Sequence, residues 1–351
     1  MTSAASAAVP GSLPGSLPGS LPGSLPGSVN DLLDDELREI GKDLPPEVWD
    51  RVLLGPARDV LSRPGKQFRA NLVDTAWRLG GGAASGPPSA LTAAIEILHA
   101  GSLVIDDIED DAELRRGAPA LHRSHGVPIA LNTGNWMYFF AFALIDRADV
   151  PEAIRIELHR AMLRGVLDCH RGQALDLGHD VTRVARHELR GIVACTTGMK
   201  AGALTRLATE LGVIAAGADA DRRVAIGEFG TALGIGLQML DDLGAVTAAW
   251  RLDKSREDLW QLRPTWAWVW TAEAADDASW IRGVRWAQQV ARRREDPEPL
   301  ARFLGSFAVR RGGDEVRAQL ASARHAIRAF AEPRTLAFID AELARLEASY
   351  G

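Results

Sequence analysis

Cysteine is nearly missing: Cys169 and Cys195 are the only two among 351 residues. They are too few for a disulfide scaffold and lack the paired spacing of a structural zinc site, so a reducing compartment is expected, with the cytoplasm as the location. Long apolar runs are also scarce. Gly, Arg or Asp interrupts each one before the roughly 18 residues that cross a bilayer, so no transmembrane segment is expected. No basic stretch followed by an apolar run marks a secretory signal. Positive charge is in deficit, with 40 Lys and Arg against 46 Asp and Glu for a formal net charge of -6, a poor match to a nucleic-acid backbone. No GxxxxGK[ST] loop is present, which excludes a P-loop nucleotide site. Regular alternation of short β-branched segments is absent too, arguing against a sandwich, a barrel or a doubly wound sheet.

What remains is an ordinary globular composition, 46% apolar and 25% charged. From Pro10 to Ser28 the sequence repeats PGSL four times and closes with PGS, so residues 1–29 read as a disordered tether. Residues 30–351 carry Ala, Leu, Arg and Glu at helical spacing, broken at GGGAASGPPS (80–89) and RGAP (116–119). One all-α bundle is expected, with helices near 30–42, 45–62, 66–80, 89–114, 127–145, 151–177, 185–215, 220–249, 256–275, 278–294, 298–310, 313–331 and 333–349. The helix from 89 opens after Pro87-Pro88 with Ser89 as its cap.

Two acidic groups interrupt apolar helices. In IEILHAGSLVIDDIEDDAELRRG, Asp106, Asp107, Glu109, Asp110 and Asp111 fall within six residues. On a helix Asp106 and Asp110 share a face with Asp107 at its edge, a convergence of oxygen ligands for a hard cation. In EFGTALGIGLQMLDDLGAVTAAW, Asp241 and Asp242 sit in a core-like stretch. Burying unpaired carboxylates costs several kcal/mol, so they should meet a cavity, a metal or a basic partner. Arg63, Lys66, Arg69, Arg115, Arg116, Lys200 and Lys254 supply bases. Acids and bases together suggest a diphosphate bridged to carboxylates by Mg²⁺ while Arg and Lys hold its remaining oxygens.

In order, PGKQFRA, HAGSLVIDDIEDDAELRRG, RGQALDL, TTGMKAGAL, GLQMLDDLGA and KSREDLWQLRPTW resemble the elements of the all-trans polyprenyl diphosphate synthases, over roughly residues 60–265. The resemblance implies an isoprenoid-synthase helical bundle with a central cavity, usually a homodimer. It implies that Asp106, Asp107, Asp110 and Asp241 organise three Mg²⁺ ions around an allylic diphosphate, with Asp242 helping through water and Arg115, Lys200 and Lys254 contacting that diphosphate. Lys66, Arg69, His99 and Arg116 match positions that hold isopentenyl diphosphate, and Gln173 and Gln238 match positions supporting the prenyl chain or the metal ligands. The implied reaction is condensation of the two substrates into a longer prenyl diphosphate.

The match has departures. Ala245 stands where the second motif usually carries a third aspartate, Asn135 where a GD pair is common, Ala201 where Thr follows Lys200, and Arg263 where a Lys is usual. A class I terpene cyclase, a prenyltransferase to another acceptor, or a non-catalytic subunit on the same scaffold therefore stays open. Gly101 and Ser102, small residues just before Asp106, favour a geranylgeranyl or longer product unless Trp136, Met137, Phe139 or Phe140 supplies a floor. Trp266, Trp268 and Trp270, with Trp260 nearby, read as core or as a prenyl-cavity lining. Glu96 and His99 form an E-x-x-H pair, but a di-iron bundle needs the pair twice. His122 and His125 lack a third ligand, and Arg292, Arg293 and Arg294 read as a solvated face.

Overall fold

The computed structural model describes residues 29–40, 42, 44–65, 67–247, 257–332, 336–337, 339–341 and 344. The expected tether lies outside the described residues apart from Val29, which opens the first helix. So do most of the expected helix 333–349, Lys66 and Lys254.

The described chain is helical, as expected. It runs α1 (Val29–Ile40), α2 (Pro46–Trp49), α3 (Gly55–Ser62), α4 (Phe68–Leu79), α5 (Ser89–Glu109), a hairpin of β1 (Leu114–Arg115) and β2 (Ala118–Pro119), α6 (Leu121–His125), α7 (Val127–Asp146), α8 (Glu152–Gly178), α9 (Leu189–Thr197), α10 (Ala203–Ala215), α11 (Ala220–Thr247), α12 (Trp266–Ala274), α13 (Asp277–Arg293) and α14 (Glu298–Ile327). Single π-helical turns, Asp50–Leu54 and Gly198–Gly202, join α2 to α3 and α9 to α10. α5 packs on α7 and α4, α10 on α4, α8 and α11, and α11 on α14.

Leu91, Ile95, Met137, Leu144, Phe229, Trp268 and Trp270 lie within the buried core. Each large apolar side chain taken fully out of water contributes about 1.5–3 kcal/mol. Close crossings need small residues. At Gly101 a Cβ would lie 2.9 Å from both the Gly134 carbonyl oxygen and Met137 Cβ, so α5 and α7 meet there almost backbone to backbone.

Four sequence expectations change. The helix from 89 stops at Glu109, not 114: Asp111 takes a positive φ of 53° and the chain folds into the hairpin. Ser89 is the first helical residue, preceded by Pro88, and no side chain caps that end. The expected helices 298–310 and 313–331 are one helix, α14. Gly312 is no break; a Cβ there would lie 2.9 Å from the Trp270 ring, so it lets α14 approach α12. The expected helix 256–275 is divided, with a helical turn at 257–260 and α12 starting only at Trp266. α5 also has the length and hydropathy of a membrane-crossing helix, because Gly101, Ser102 and His99 interrupt it without charge. It is nevertheless packed inside the bundle, and the acidic group begins in its last turn.

Candidate active site

The ends of α5, α8 and α11 bring the two acidic groups to one cavity of about 400 Å³. Among the described residues its walls carry eight carboxylates, those of Asp106, Glu109, Asp110, Asp176, Asp241, Asp242, Glu257 and Asp258. Four cationic side chains, Arg69, Arg115, Lys200 and Arg263, face them. Leu98, Leu103, Ile105, Val166, Val193 and Leu204 make the walls apolar elsewhere.

Local structure aims the cations. In the hairpin, Arg116 (φ 55°) and Gly117 (φ 79°) form the two-residue turn, positive at both positions as a tight two-stranded hairpin requires. The turn sends its arginines different ways. Arg115 Nε donates to Asp107 Oδ1 at 2.6 Å, and Nη2 lies 3.7 Å from Asp106 Oδ2. Arg116 Nη1 instead lies 3.1 Å from where Gly65 would carry a Cβ, and its neighbour in charge is Glu96. Lys200 sits in the second π-helical turn, a device that re-aims one side chain within a helix. Its ammonium donates to Asp176 and lies 3.8 Å from Asp106 Oδ1. A Cβ on Gly172 would lie 2.8 Å from Lys200 Cγ, so the glycine leaves room for the lysine stem.

The acids differ in what holds them. Gln173 Nε2 donates to Asp106 Oδ1 at 3.2 Å and to Glu109 Oε2 at 2.6 Å, tying α8 to α5. Arg263 Nη2 donates to Asp110 Oδ1 at 3.0 Å. Asp242 accepts from Gln238 Nε2 and from the Trp266 backbone N–H, both at 2.8 Å. Asp107 is 2% exposed, behind the wall and gripped by Arg115.

Burial is the first cause of the shifts among these acids, and neighbouring carboxylates add to it. Burial raises the pKa of Asp107 and Asp110, with Asp106 raising both further and Arg115 and Arg263 respectively opposing. Burial and the nearby Asp241 and Asp176 push Asp242 up to about 7, against its two hydrogen bonds. Asp258 is pushed up to about 8 by burial and then by Asp242, Asp176 and Asp110. Its carboxylate still opens onto the cavity rather than being sealed from water. For Lys200, burial would lower the pKa, but Asp176, Asp106 and Asp110 outweigh it and raise it.

At another wall, burial lowers Arg69 to about 10 despite Glu96, and its Nε has no hydrogen-bond partner among the described residues. His99 is held well below its ordinary value by burial and by Arg69, Arg116 and Arg115, and its Nδ1 is likewise unpartnered. Neutral imidazole and desolvated guanidinium there form a second polar subsite.

Residues 50–296 match the family described as Polyprenyl synthetase. The chain belongs to the polyprenyl synthetase family. Among its relatives, a geranylgeranyl pyrophosphate synthase of Eremothecium gossypii is 32% identical over 172 residues, covering 44% of this chain and 53% of the relative. A short chain isoprenyl diphosphate synthase of Methanothermobacter thermautotrophicus is 32% identical over 213 residues, covering 60% and 62%. The chain thus spans between half and two thirds of the length of these curated relatives. In fold it is similar to the geranylgeranyl pyrophosphate synthetase of Pyrococcus horikoshii, with a TM-score of 0.74 at 22% identity over 91% of this chain and 95% of that one. The heptaprenyl diphosphate synthase of Staphylococcus aureus gives 0.72 at 16%, over 92% and 98%.

In this polyprenyl synthetase, Asp106, Asp110, Asp241, Asp242, Arg115, Lys200, Gln173, Gln238, Arg69 and His99 all reach the cavity, while Arg116 flanks it beside Gly65. Sequence reasoning missed Glu257, Asp258 and Tyr138 as wall residues and left Asp176 and Arg263 without a role. The stretch KSREDLWQLRPTW carried a signal for Asp258 and Arg263; nothing in the sequence marked Tyr138. The cavity walls include none of Trp136, Met137, Phe139 and Phe140. Phe139 is 74% exposed, Trp136 stacks on Phe140, and Met137 is core. Trp266, Trp268 and Trp270 are core as well; Trp266 Nε1 donates to Thr197 Oγ1 at 3.0 Å. His122 is buried and His125 reaches Asp59 at 3.7 Å.

Proposed function

We propose that the chain is a Mg²⁺-dependent trans-prenyltransferase that condenses isopentenyl diphosphate with an allylic prenyl diphosphate to give a longer prenyl diphosphate. The observation that carries this reading is the opposition of eight carboxylates and four cations across a cavity with apolar walls. The donor set fits a hard cation: all oxygen and acid-rich, with burial and then neighbouring acids raising the pKa of Asp110, Asp242 and Asp258. Among the described residues no three acids, histidines or cysteines converge into a ready-made metal group. The cations would therefore be held between Asp106 and Asp110 on one wall and Asp241 on the other, completed by diphosphate oxygens, and three ions are the number we propose. Asp107, clamped by Arg115, and Asp242, clamped by Gln238 and Trp266, orient this set.

Bound Mg²⁺ supplies Lewis-acid stabilisation of the departing diphosphate. Arg115, Lys200 and Arg263 add fixed positive charge on the same side, where charge develops as the allylic C–O bond breaks. Lys254 joins them in this proposal. Arg69, His99 and Arg116, with Lys66, hold the isopentenyl diphosphate. The apolar walls keep water from the allylic cation until the isopentenyl double bond reaches it. This second subsite favours elongation over cyclisation, because a cyclase has no second diphosphate for Arg69 and Arg116 to hold.

We also propose a cytoplasmic homodimer. Val127, Leu131 and Phe139 on α7 and Ile156, Leu163 and Leu167 on α8 are exposed apolar residues on adjoining helices. Incubation with Mg²⁺, isopentenyl diphosphate and each allylic diphosphate, followed by mass identification, tests the reaction. Longer prenyl diphosphates are expected; cyclic hydrocarbons, or silence, overturn the reading. Sedimentation equilibrium reads the assembly.

A further inference from the structure

α13 divides sharply into a packed side and a solvated one. Gly283, Ala287 and Val290 are buried and the Trp286 ring packs on Phe303 of α14, so the apolar side of the helix is taken up by the bundle. With about 100° between successive residues, Ile281, Arg282, Arg285, Gln289, Arg292 and Arg293 fall opposite, within an arc of about 120°. All six are exposed.

This face carries charge of one sign. From Ala278 to Arg294 the sequence has five arginines and no acid, in a chain whose net charge is -6. A surface helix more often sets acids one turn from its bases, as α14 does with Arg302 and Glu298 and with Arg317 and Asp314. Arg293 meets Glu295 just beyond the helix at 3.3 Å, while Arg285 and Arg292 have no ion-pair partner among the described residues.

The basic end of the helix is fixed beside the active-site wall. Arg294, with a positive φ of 50°, sets its guanidinium 5.6 Å from the Trp260 ring centroid, and Trp260 Nε1 donates to the Glu295 carbonyl oxygen at 2.9 Å. Trp260 closes the helical turn whose Glu257 and Asp258 line the cavity.

Such a ridge suits a flat anionic surface. Arg282 and Arg293 are eleven residues apart, about 16 Å along the axis, too far for these arginines to converge on one small anion. Guanidinium forks match phosphate oxygens, and Ile281, 48% exposed, stands among them. Because its apolar side is occupied, α13 cannot sink into a bilayer, and contact stops at the headgroups. A long polyanion would wrap onto the chain's surplus of acids, whereas a headgroup layer touches one side of the molecule.

We propose that the exposed face of α13 docks on anionic lipid headgroups, holding the Glu257 and Asp258 side of the cavity near the membrane. The prenyltransferase reading gives this a use, since a longer prenyl diphosphate is an amphiphile, but the proposal stands on charge and geometry.

Co-sedimentation of the full chain, without substrate, with vesicles of phosphatidylcholine alone or of equal parts phosphatidylcholine and phosphatidylglycerol tests it. Binding is expected to the mixed vesicles only and should weaken as salt rises. Each arginine beside an anionic surface strengthens binding about fivefold, so Arg285→Glu/Arg292→Glu should weaken it about 25-fold or more. Arg38→Glu, on α1, should leave it unchanged. No preference for the anionic vesicles, or wild-type binding by the double variant, overturns the proposal. Should charge reversal lower the Tm, Arg285→Gln/Arg292→Gln carries the same direction of effect and the same overturning result. Capture of homopolymeric RNA through these arginines, with no binding to vesicles, would assign the face to nucleic acid and overturn the lipid assignment.

Discussion

Arg263 Nη2 lies 3.0 Å from Asp110 Oδ1 while its Nη1 donates to the Asp176 carbonyl oxygen at 2.7 Å. One guanidinium thus joins the ends of α5 and α8 at the acid-lined cavity, from the segment that follows the second acidic motif. A lysine, usual at this place in the resemblance, offers a point charge and cannot span both acceptors with a planar fork.

Removing that guanidinium should therefore have two effects of opposite sign. Arg263→Ala leaves Asp110 without its hydrogen-bonded counter-charge, with only Lys200 still acting on it, so Mg²⁺ alone should bind several-fold more tightly. Diphosphate in the presence of Mg²⁺ should bind about tenfold or more weakly, since a charge-assisted hydrogen bond contributes about 1.5–3 kcal/mol. Calorimetric titrations of both ligands check this; parallel changes would show that Arg263 acts only by holding the helices together.

Arg69 and His99 predict a separation of kinetic constants. Each is half-buried and holds a buried ring or guanidinium nitrogen with no partner among the described residues, on the wall assigned to isopentenyl diphosphate. Arg69→Met should raise the KM for isopentenyl diphosphate about 10- to 100-fold, with a smaller change in the KM for the allylic partner. Steady-state kinetics with each substrate varied in turn decides it. A change confined to the allylic KM would reverse the assignment of the two subsites.

The acidic and basic residues of this cavity were legible because each lies in a local pattern: Asp106 and Asp110 share a helix face, and Asp241-Asp242 break an apolar run. What the sequence hid depends on how elements meet. Asp107 belongs to the same motif as Asp106, but its bond to Arg115 depends on the hairpin turn at Arg116-Gly117, which a helix expected to run to 114 obscured. Lys200 was recognised, yet its reach to Asp176 needs the π-helical turn and the bare Cα of Gly172. Gly101 looked like free space beneath the acids, and the crossing with Gly134 uses that space. On α7, Tyr138 lines the cavity while its neighbour Phe139 is exposed. The glycines at 312–313 looked like a helix end, because a break and a close contact with Trp270 call for the same residue.

The α5–α7 crossing makes a prediction about stability. Gly101→Ala would place a methyl 2.9 Å from a backbone oxygen and from Met137 Cβ, and neither can withdraw without moving a helix. Overpacking of this kind costs about 1–3 kcal/mol. Chemical denaturation should show the loss in midpoint with the slope retained. A variant as stable as wild type would mean that α7 slides on α5 to make room for the methyl.

The final prediction concerns ligand-linked stability. Eight carboxylates facing four cations repel one another in a cavity partly closed to water, so whatever neutralises them should stabilise the fold. Mg²⁺ alone meets the acids but leaves Arg115, Lys200 and Arg263 partly spent on those same acids, and diphosphate alone adds negative charge where it is already in excess. Together they satisfy both signs. A ligand at about a hundred times its Kd contributes about 2.7 kcal/mol. Thermal unfolding should accordingly show a larger rise in Tm with Mg²⁺ and inorganic diphosphate together than the sum of the two separate shifts. EDTA should abolish that excess, and Asp241→Asn should diminish it by weakening the wall opposite Asp106. Strict additivity would mean that metal and diphosphate occupy unrelated places, and the carboxylates would then have to be explained without a bridging cation.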